Sequence, residues 1–356
     1  MILLHAQVDV IEGSLPGVLV GAATGLSERT FAVLTLTDDN GIAGVGEASP
    51  LPGYSPDSID DAAEELQDLI DHPIEVDQAL APRALLDRMA EVQLIQSPSA
   101  RFALESALLD WLGKVRGAPV HALLAIGVVR SIPIADLVLE ADPARWPDHV
   151  HHLCADGATH IKLKIGSALD REVAALQTIR DAHPGLKIRL DANRRIDITD
   201  LRRHAGTLAS LDLELIEEPV PARDWLEAVS LPLPLALDET LRDEAMSRQL
   251  LGEGHIRAVV IKPAVLGGVT AALDLAKIAR EHGAQLVLSH TFDGPIARAA
   301  TAELALALKS ELAAGLGSHP ALELWPPHRI AAIHDREIRP HVVAGLGLEF
   351  EESSDA

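Results

Sequence analysis

From about residue 131 onward, the sequence repeats one pattern: a short apolar segment followed by a helical stretch of roughly 10–15 residues. Alternation of this kind predicts a parallel sheet, because parallel neighbours need a crossover connection of that length. Eight units close a β/α barrel. An open doubly wound sheet is the competing architecture, but it normally carries a glycine-rich phosphate-binding turn after its first strand, which this sequence lacks. The expected strands are Ile132–Leu137, His160–Ile165, Lys187–Asp191, Leu213–Glu217, Pro234–Asp238, Ala258–Lys262, Gln285–Ser289 and Ala313–Gly317.

The first 125 residues have a different pattern, typical of an α+β unit. A DDNG turn joins two segments that predict antiparallel strands, Phe31–Thr37 and Ile42–Glu47. Strand-like pieces return after about Trp325, notably in HVVAGLGLEF, and we expect them to pack on the N-terminal sheet. Glu351–Ala356 is expected to be a disordered tail. Helices are predicted over Ser58–Asp71, Pro82–Glu91 and Ser99–Lys114.

The composition argues against several classes of partner. The formal net charge is −23, which disfavours nucleic acids and anionic membranes because both are negatively charged. The sequence has neither an apolar run long enough to span a bilayer nor a basic segment near Met1 that would suggest a signal peptide. Cys154 is the only cysteine, so no intramolecular disulfide can form, and we expect a cytoplasmic protein.

Five successive predicted strands have an ionisable residue at or near their C-terminal ends: Lys164, Asp191, Glu217, Asp238 and Lys262. The intervals are 27, 26, 21 and 24 residues, each the length of one β/α unit. Barrel active sites lie at the C-terminal ends of the strands, so these side chains should converge at one mouth. Three clustered carboxylates repel one another unless a cation lies among them, and oxygen-only ligands suit Mg²⁺, with Mn²⁺ as a substitute. The sequence therefore predicts Asp191, Glu217 and Asp238 as metal ligands.

The segment Ile161–Gly166 (IKLKIG) places Lys162 and Lys164 on the same side of a strand. A half-exposed strand with two solvated lysines would have the same alternation, but in a barrel both lysines point inward. Lys164 lies on the second predicted strand and Lys262 on the sixth, which are diametrically opposed in a ring of eight. A carboxylate substrate held between them by a metal could lose its α-proton to one lysine. The like charge of Lys162 would favour the neutral, basic form of Lys164.

Together these segments resemble the muconate lactonising subgroup of the enolase superfamily. The segments that carry the resemblance are Lys162-x-Lys164, Asp191-Ala192-Asn193, Glu217-Glu218-Pro219, Asp238-Glu239 and Lys262-Pro263, with GVGEA at 44–48 and ALESALLD at 103–110. The resemblance covers nearly the whole chain. It implies a modified (β/α)8-type, (β/α)7β, barrel over residues 126–324, with an α+β capping domain over 1–125 that is completed by about 325–356.

The resemblance also implies a function. It implies a small-molecule carboxylate substrate, bound Mg²⁺ with Glu217 as one ligand, Lys164 as the base and Lys262 as the opposing amine. Members of the family are often oligomeric, so a homo-oligomer is possible. A Schiff-base aldolase that uses one of these lysines as a nucleophile is disfavoured by the three carboxylates.

Within the subgroup, residues 213–219, 238–241 and 258–263 resemble o-succinylbenzoate synthases of menaquinone biosynthesis. This resemblance implies a lyase in which Lys164 removes a proton and water leaves from the same face. The alternative is an N-acylamino acid racemase, a dipeptide epimerase or a cycloisomerase. The segment Ser289–Asp293 has neither the serine-rich stretch with Glu of many synthases nor the Asp-x-Asp pair of dipeptide epimerases, so the substrate stays open.

Seven further residues are candidates for contact with the substrate or with the metal ligands: Asn193, Glu239, Ser289, His290, Asp293, Arg29 and Tyr54. Asn193 is expected to hold Asp191, and Glu239 to hydrogen-bond near Lys262 or Lys164. His290 either binds substrate or is satisfied by the backbone. Arg29 either reaches a second substrate carboxylate or is a solvated loop residue, and Tyr54 either covers the pocket or only holds its loop. The resemblance also implies that substrate preference depends on the capping-domain loops Ala22–Arg29 and Leu51–Tyr54, together with the ends of the last strands.

Overall fold

The computed structural model describes residues 1–15, 25–91, 95–125, 127–325 and 328–350. Its N-terminal part is a four-stranded antiparallel sheet covered by helices. The strands are β1 (Ile2–Ser14), β2 (Glu28–Asp38), β3 (Ala43–Ala48) and β4 (Ile74–Val76), in the order β3-β2-β1-β4. The helices are α1 (Ile59–Gln67), α2 (Pro82–Glu91), α3 (Pro98–Arg116) and α4 (Val120–Leu124). The predicted strand pair and the three predicted helices are confirmed, whereas residues 22–24 of the expected loop and the expected tail at 351–356 lie outside the described residues.

Strand β3 lies directly against the backbone of α3, which explains the glycines of GVGEA. A Cβ atom added at Gly44 would lie 2.1 Å from the Ala107 carbonyl oxygen, and one at Gly46 would lie 1.8 Å from the Ala103 carbonyl oxygen. Contact this close between a strand and a helix is possible only where no side chain separates them. Most of α3 is buried as a result, including the Trp111 ring.

The second part of the chain is a β/α barrel, as predicted. Seven parallel strands are hydrogen-bonded in chain order from β6 to β12, and helices follow them on the outside. Its strands, with a short strand before them, are β5 (Ile132–Pro133), β6 (Asp136–Val138), β7 (His160–Lys164), β8 (Lys187–Asp191), β9 (Leu215–Glu217), β10 (Leu235–Leu237), β11 (Ile256–Ile261) and β12 (Gln285–Leu288). Its helices are α5 (Trp146–Ala155), α6 (Leu169–Ala182), α7 (Ile198–Ser210), α8 (Trp225–Ala228), α9 (Glu244–Gly252), α10 (Pro263–Leu266), α11 (Val269–Glu281) and α12 (Pro295–Leu308), with short 3-10 turns at Pro143–Arg145, Ala222–Asp224, Glu239–Arg242 and Pro320–Leu324.

Residues 312–315 close the sheet into a barrel. On one side, the Gly315 amide donates to the Leu288 carbonyl of β12 at 2.8 Å. On the other side, the Ala314 amide donates to the Pro133 carbonyl at 2.7 Å, and the Ala135 amide donates to the Ala314 carbonyl at 3.0 Å. This segment takes the place of the eighth strand, where Ala313–Gly317 was expected.

The predicted first strand, Ile132–Leu137, is divided in two. The Ile134 amide donates to the Arg336 carbonyl at 2.7 Å, so the chain there pairs with the C-terminal segment on one side and with Ala314 of the closing segment on the other. Beyond this point β6 pairs with β7 in the parallel sheet. The sequence pattern did not distinguish the two halves because both are apolar.

Alternation along the strands separates two apolar cores. Six buried side chains form a small cluster apart from the main core, and they fill the barrel interior: Leu215, Ala236, Ala258, Val260, Val287 and Leu312. Their neighbours along the strands belong to the main core between the sheet and the helices. In β7, Ile161 and Leu163 belong to that outer core and are fully buried, which places Lys162 and Lys164 on the inside.

Two buried carboxylates of the N-terminal part cap helices of the barrel. Glu47 Oε1 accepts the Gly294 amide at 2.6 Å at the start of α12, and Oε2 accepts two further amides of that helix at 3.2 Å. Glu105 Oε2 accepts the Thr270 amide at 2.9 Å in the first turn of α11. Negative charge is favourable at helix N-termini, so these two residues of the GVGEA and ALESALLD segments fix the two parts of the chain to each other.

The C-terminal segment forms small sheets outside the N-terminal sheet, and its expected packing on that sheet stays a prediction. Its strands β13 (His328–Ile330), β14 (Ile333–His334), β15 (Glu337–Ile338) and β16 (Leu348–Phe350) pair as β13–β16 and as β14–β15–β5. The strand expected in HVVAGLGLEF is confined to its end, because Gly345 and Gly347 have φ values of +71° and +63°. The segment instead binds α3, where Asp110 Oδ1 accepts the Leu346 amide at 2.8 Å. The boundary at residues 125 and 126, and the assignment of residues 325–356 to the first domain, stay predictions.

Two observations bear on the surroundings of the chain. Within the described ranges, no helix is both long enough and apolar enough to cross a lipid bilayer. Cys154 is a partly buried free thiol on α5, outside the barrel mouth.

Gly46→Ala should destabilise the protein strongly, because the new methyl group would collide with the backbone of α3. We expect a loss of about 3 kcal/mol in the free energy of unfolding, the upper end for overpacking. Gly185→Ala is the matched control, because a Cβ atom there meets nothing within 4 Å. Urea denaturation of both variants checks this prediction, and equal stabilities would contradict the close packing of β3 on α3.

Candidate active site

One cavity lies at the C-terminal ends of the barrel strands, and most of the predicted ionisable residues line it. Lys162 and Lys164 come from β7, Asp191 and Glu217 end β8 and β9, and Lys262 follows β11. Lys164 and Lys262 thus reach the same space from the second and sixth strands of the parallel sheet.

Lys162 lies between two of the predicted metal ligands. Its Nζ is 2.8 Å from Asp191 Oδ2 and 2.8 Å from Glu217 Oε2. Burial alone would lower the pKa of Lys162, but the two carboxylates raise it above its ordinary value, so the side chain stays cationic. Burial also raises the pKa of Glu217, to about 7, with the Asp191 charge acting in the same direction. For Asp191, Lys162 and Lys164 outweigh burial and lower the pKa.

Lys164 is held by Asp191 and Asn193. Its Nζ lies 2.5 Å from Asp191 Oδ2 and donates to Asn193 Oδ1 at 2.7 Å. The Asn193 amide group donates in turn to Glu239 Oε1 at 2.9 Å, which connects Glu239 to Lys164 as expected. Asn193 holds Asp191 as well, but through its backbone amide, at 3.1 Å. This arrangement fixes the direction in which Lys164 enters the cavity.

Asp238, Tyr54 and Lys262 form a second cluster at the mouth. Lys262 Nζ hydrogen-bonds to Asp238 Oδ2 and donates to the Tyr54 hydroxyl at 2.6 Å, and that hydroxyl donates to Asp238 Oδ1 at 3.1 Å. Although burial lowers the pKa of Lys262, Asp238 and Tyr54 raise it well above its ordinary value. Tyr54 therefore belongs to the site and does not merely hold the loop in which it lies.

The three predicted metal ligands have the donor chemistry that Mg²⁺ prefers. All are carboxylates, all are buried, and the charges of Asp191 and Asp238 both raise the pKa of Glu217, a repulsion that a cation would relieve. Their oxygen atoms do not all lie within 4.8 Å of one another, and the Lys162 ammonium lies between Asp191 and Glu217. Binding of one cation by all three would require Lys162 to release at least one carboxylate. The donor set fits Mg²⁺, and its assignment as a metal site stays a prediction.

Among the described residues, one group of three does meet that spacing: His121, Glu303 and His341. None of them lines the cavity. Glu303 accepts hydrogen bonds from the His121 backbone amide at 2.7 Å, from His121 Nδ1 at 2.9 Å and from His341 Nε2 at 2.6 Å. The cluster holds α4, α12 and the C-terminal segment together.

The residues after β12 divide into two groups. Ser289 and His290 line the cavity, as expected for substrate contacts, although the Ser289 hydroxyl donates to the Gly315 carbonyl at 3.2 Å. Asp293 does not line the cavity, and its Oδ1 accepts the hydroxyl and the amide of Thr291 at 2.8 and 3.2 Å. The Asp293 carboxylate is therefore used inside its own turn, next to the lining residue Thr291, and a role for it in substrate binding stays a prediction.

The expectation that Arg29 is a solvated loop residue is wrong, and its contact with a substrate carboxylate stays a prediction. The residue is buried, so it is not a solvated loop arginine, and its guanidinium does not line the cavity. It donates to the carbonyls of Pro50 and Ser49 at 2.7 and 2.9 Å, and to that of Phe292 at 3.3 Å. Arg29 therefore holds the Leu51–Tyr54 loop against the loop after β12.

Three residues important to the site were not among the predicted site residues. Glu218, the second glutamate of the EEP segment, accepts the Asp238 amide at 2.9 Å and Arg194 Nε at 2.8 Å, and so positions the end of β10. Its place next to Glu217 was the available signal. Phe292 and His319 line the cavity beside His290, and no pattern in the sequence indicated either of them.

Comparison with known protein families agrees with this geometry. Residues 9–125 match the N-terminal domain of mandelate racemase and muconate lactonizing enzyme, and residues 146–354 match the enolase C-terminal domain-like family.

Several characterised proteins are similar over most of the chain. The o-succinylbenzoate synthase of Desulfotalea psychrophila is 29% identical over 79% of this chain and 84% of its own length. The L-Ala-D/L-Glu epimerase of Escherichia coli is 27% identical over 75% of this chain and 79% of its own. In fold, the dipeptide epimerase of Methylococcus capsulatus, crystallised with Mg and the dipeptide L-Arg-D-Lys, superposes with a TM-score of 0.85 over 98% of this chain and 100% of its own at 23% identity.

Glu217→Gln should weaken the binding of a divalent cation, because it removes one negative charge and one strong oxygen ligand. We expect at least about a tenfold loss of Mn²⁺ affinity, measured by electron paramagnetic resonance of free Mn²⁺. Asp212→Asn is the control, since Asp212 is exposed in the turn before the same strand, β9. Unchanged Mn²⁺ affinity in Glu217→Gln would contradict the assignment of Glu217 as a ligand.

Proposed function

Because this chain belongs to the enolase superfamily, in its muconate lactonizing enzyme subgroup, we propose that it is an o-succinylbenzoate synthase-like dehydratase. The substrate would be a small carboxylic acid with a hydroxyl group on the carbon next to its acidic C–H. The reaction would remove that proton and then the hydroxyl group as water.

One observation carries the proposal: two lysines from opposite sides of the barrel line one cavity, and each contacts a carboxylate at a strand end. Lys164 contacts Asp191, and Lys262 contacts Asp238. Ammonium groups inside a barrel are costly unless negative charge lies close to them. Asp191 and Asp238 supply that charge, and an anionic substrate between the two lysines would add to it.

Lys164 is proposed as the base. In its neutral form, the lone pair of Nζ takes the proton from the carbon next to the substrate carboxylate, and the C–H electron pair moves into the carboxylate as an enediolate. When that pair returns to form the C=C bond, the C–O bond breaks. The departing hydroxyl takes a proton from the Lys164 ammonium and leaves as water, which restores neutral Lys164. Because one residue gives and takes the proton, both groups leave from the same face.

Lys262 is proposed as a fixed positive charge. Its raised pKa keeps it protonated, so it opposes the negative charge of the enediolate without exchanging a proton. Tyr54 holds it through a hydrogen bond of 2.6 Å, with the Lys262 Nζ atom 4.7 Å from the centre of the tyrosine ring. Lys162 would have a supporting role, as a cation that positions Asp191 and Glu217.

Asp191, Glu217 and Asp238 would hold the Mg²⁺ ion. When bound, the ion would withdraw electron density from the substrate carboxylate and so acidify the neighbouring C–H bond.

A racemase of N-acylamino acids is the second candidate, because two lysines on opposite sides of one cavity permit proton exchange from either face. A dipeptide epimerase is less well supported. Its substrates carry an ammonium group, and Asp293, the carboxylate of the loop after β12, is bound to Thr291 away from the cavity.

The dehydratase proposal predicts loss of the cyclohexadiene absorbance when the purified protein is mixed with Mg²⁺ and the o-succinylbenzoate synthase substrate. Lys164→Ala should lower kcat by at least about a thousandfold, as expected for loss of a general base and acid. Lys187→Ala is the control, because Lys187 is exposed at the opposite end of β8. No turnover by the unaltered protein would refute the dehydratase assignment.

The two candidates also differ in proton exchange. If the protein is a racemase, the α-proton of an N-succinyl amino acid exchanges in D₂O, and both Lys164→Ala and Lys262→Ala abolish racemisation. If it is a dehydratase with one base, dehydration depends on Lys164 as the proton carrier, whereas Lys262→Arg, which keeps the charge, retains measurable turnover. Proton NMR follows the exchange, and exchange in the Lys164→Ala variant at the unaltered rate would exclude Lys164 as the base.

A further inference from the structure

The three predicted metal ligands are not positioned in the same way. Asp191 and Glu217 are the last residues of β8 and β9, and they are direct partners in the parallel sheet. The hydrogen-bond register of the sheet therefore fixes their relative positions. Asp238 follows the last residue of β10, and its φ and ψ of −128° and −88° are those of neither a strand nor a helix. Its position depends on contacts outside the sheet.

A buried carboxylate from the neighbouring strand end supplies such a contact. Glu218 is fully buried, and its Oε2 accepts the Asp238 amide at 2.9 Å. The Glu218 backbone is fixed as well, because its amide donates to the Ala236 carbonyl of β10 at 3.0 Å. Glu218 does not line the cavity, so its carboxylate lies behind the predicted ligands and away from the space for a substrate.

Two further side chains bind the other oxygen of Glu218. Its Oε1 accepts hydrogen bonds from Arg194 Nε at 2.8 Å and from the Thr240 hydroxyl, and Arg194 Nη2 donates to Thr240 Oγ1 at 3.1 Å. A fully buried carboxylate is costly without a cation, and Arg194 supplies one. Arg194, Glu218 and Thr240 lie after β8, β9 and β10, the three strands that lead to the predicted ligands. We call these three residues the strand-end brace.

The backbone of the brace has an uncommon conformation. Arg194 and Glu218 have φ values of +65° and +44°, and Asn193 has a φ of +42°. A left-handed backbone at residues other than glycine costs roughly 1–3 kcal/mol each and persists only where the surroundings enforce it. The Arg194 amide also donates to the Glu218 carbonyl at 2.7 Å, so these two residues are bonded through both backbone and side chain. Such cost is typical of positions whose geometry serves a site.

We propose that Arg194 is a positioning residue for the metal site, which acts through Glu218 to fix the chain at Asp238. In this way the brace sets the distance of the third carboxylate from the other two. The inference rests on the proposed function, because it takes the three carboxylates as ligands of Mg²⁺. When the brace is broken, the sheet still holds Asp191 and Glu217 together, whereas Asp238 loses the acceptor of its amide. Cation binding should then weaken although every ligand is still present.

Binding of Mn²⁺ to the full chain tests this inference without turnover. Arg194→Met keeps an unbranched side chain but removes the charge and the side-chain hydrogen bonds, and the residue is 35% exposed, so the variant should fold. We expect about a tenfold loss of Mn²⁺ affinity, measured by electron paramagnetic resonance of free Mn²⁺, because residues that orient metal ligands typically contribute that much. At saturating Mn²⁺, the spectrum of the bound ion should also change, since it reports the arrangement of its ligands.

Further variants separate positioning from stability. Arg194→Lys keeps the charge and should restore part of the affinity. Glu218→Gln should lose at least as much affinity as Arg194→Met, and the double variant should lose no more than Glu218→Gln alone, because both changes act through one group. Glu303→Gln is the matched control, since Glu303 is also fully buried and hydrogen-bonded but lies away from the cavity. It should lower the free energy of unfolding and leave the Mn²⁺ affinity and spectrum unchanged.

The outcomes distinguish the inference from the proposed function. Unaltered Mn²⁺ affinity in both Arg194→Met and Glu218→Gln would overturn the inference, as would an equal loss of affinity in Glu303→Gln. If Glu217→Gln still loses affinity in either case, the metal site and the proposed function stand. If the unaltered protein binds no Mn²⁺, the metal assignment fails, and the inference fails with it.

Discussion

Buried negative charge at the barrel mouth is the constraint on which the rest of the site depends. Asp191, Glu217, Asp238 and Glu239 are each exposed by 9% or less, and ionised carboxylates in such surroundings are several kcal/mol unfavourable unless they are paired. The compensation comes from lysines on other strands, since Lys162 of β7 reaches Glu217 of β9. Only a closed, correctly registered barrel brings these partners together. The residues proposed for the reaction therefore also stabilise the correctly registered sheet. Removal of one charge would leave its partner buried and unpaired.

Much of this could be predicted because it depends on local order along the chain. The alternation in IKLKIG places Lys162 and Lys164 on one side of β7, and Ile161 and Leu163 do lie on the other. The spacing of the ionisable strand ends likewise predicted that Lys164, Asp191, Glu217 and Lys262 would meet, and they line one cavity. Strand periodicity and the length of a β/α unit are enough for such predictions, because each residue is positioned mainly by its own strand.

The remaining features depend on contacts between distant parts of the chain. Arg29 was expected in solvent or at the substrate, but it donates to carbonyls of two loops, one of them more than 250 residues away. Asp293 and His319 are similar cases, since only the folded loops decide which of them faces the cavity. The segment at residues 312–315 showed only a weak strand pattern in the sequence. Its role in closing the barrel depends on hydrogen bonds to β12 on one side and to the segment around Pro133 on the other. Local patterns contain no information about such pairings.

The loop after β12 is anchored from outside the barrel. Glu47 binds the Gly294 amide at its end, and Arg29 binds the Phe292 carbonyl within it. Both anchors lie in the first fifty residues, whereas the lysines and carboxylates of the mouth are carried by the barrel strands themselves. Substitutions at these anchors can therefore change the shape of the loop after β12, whereas the lysines and carboxylates at the barrel mouth keep their positions. A new substrate preference can therefore evolve in such a protein through substitutions in the N-terminal sheet, without any change in the reactive residues of the barrel.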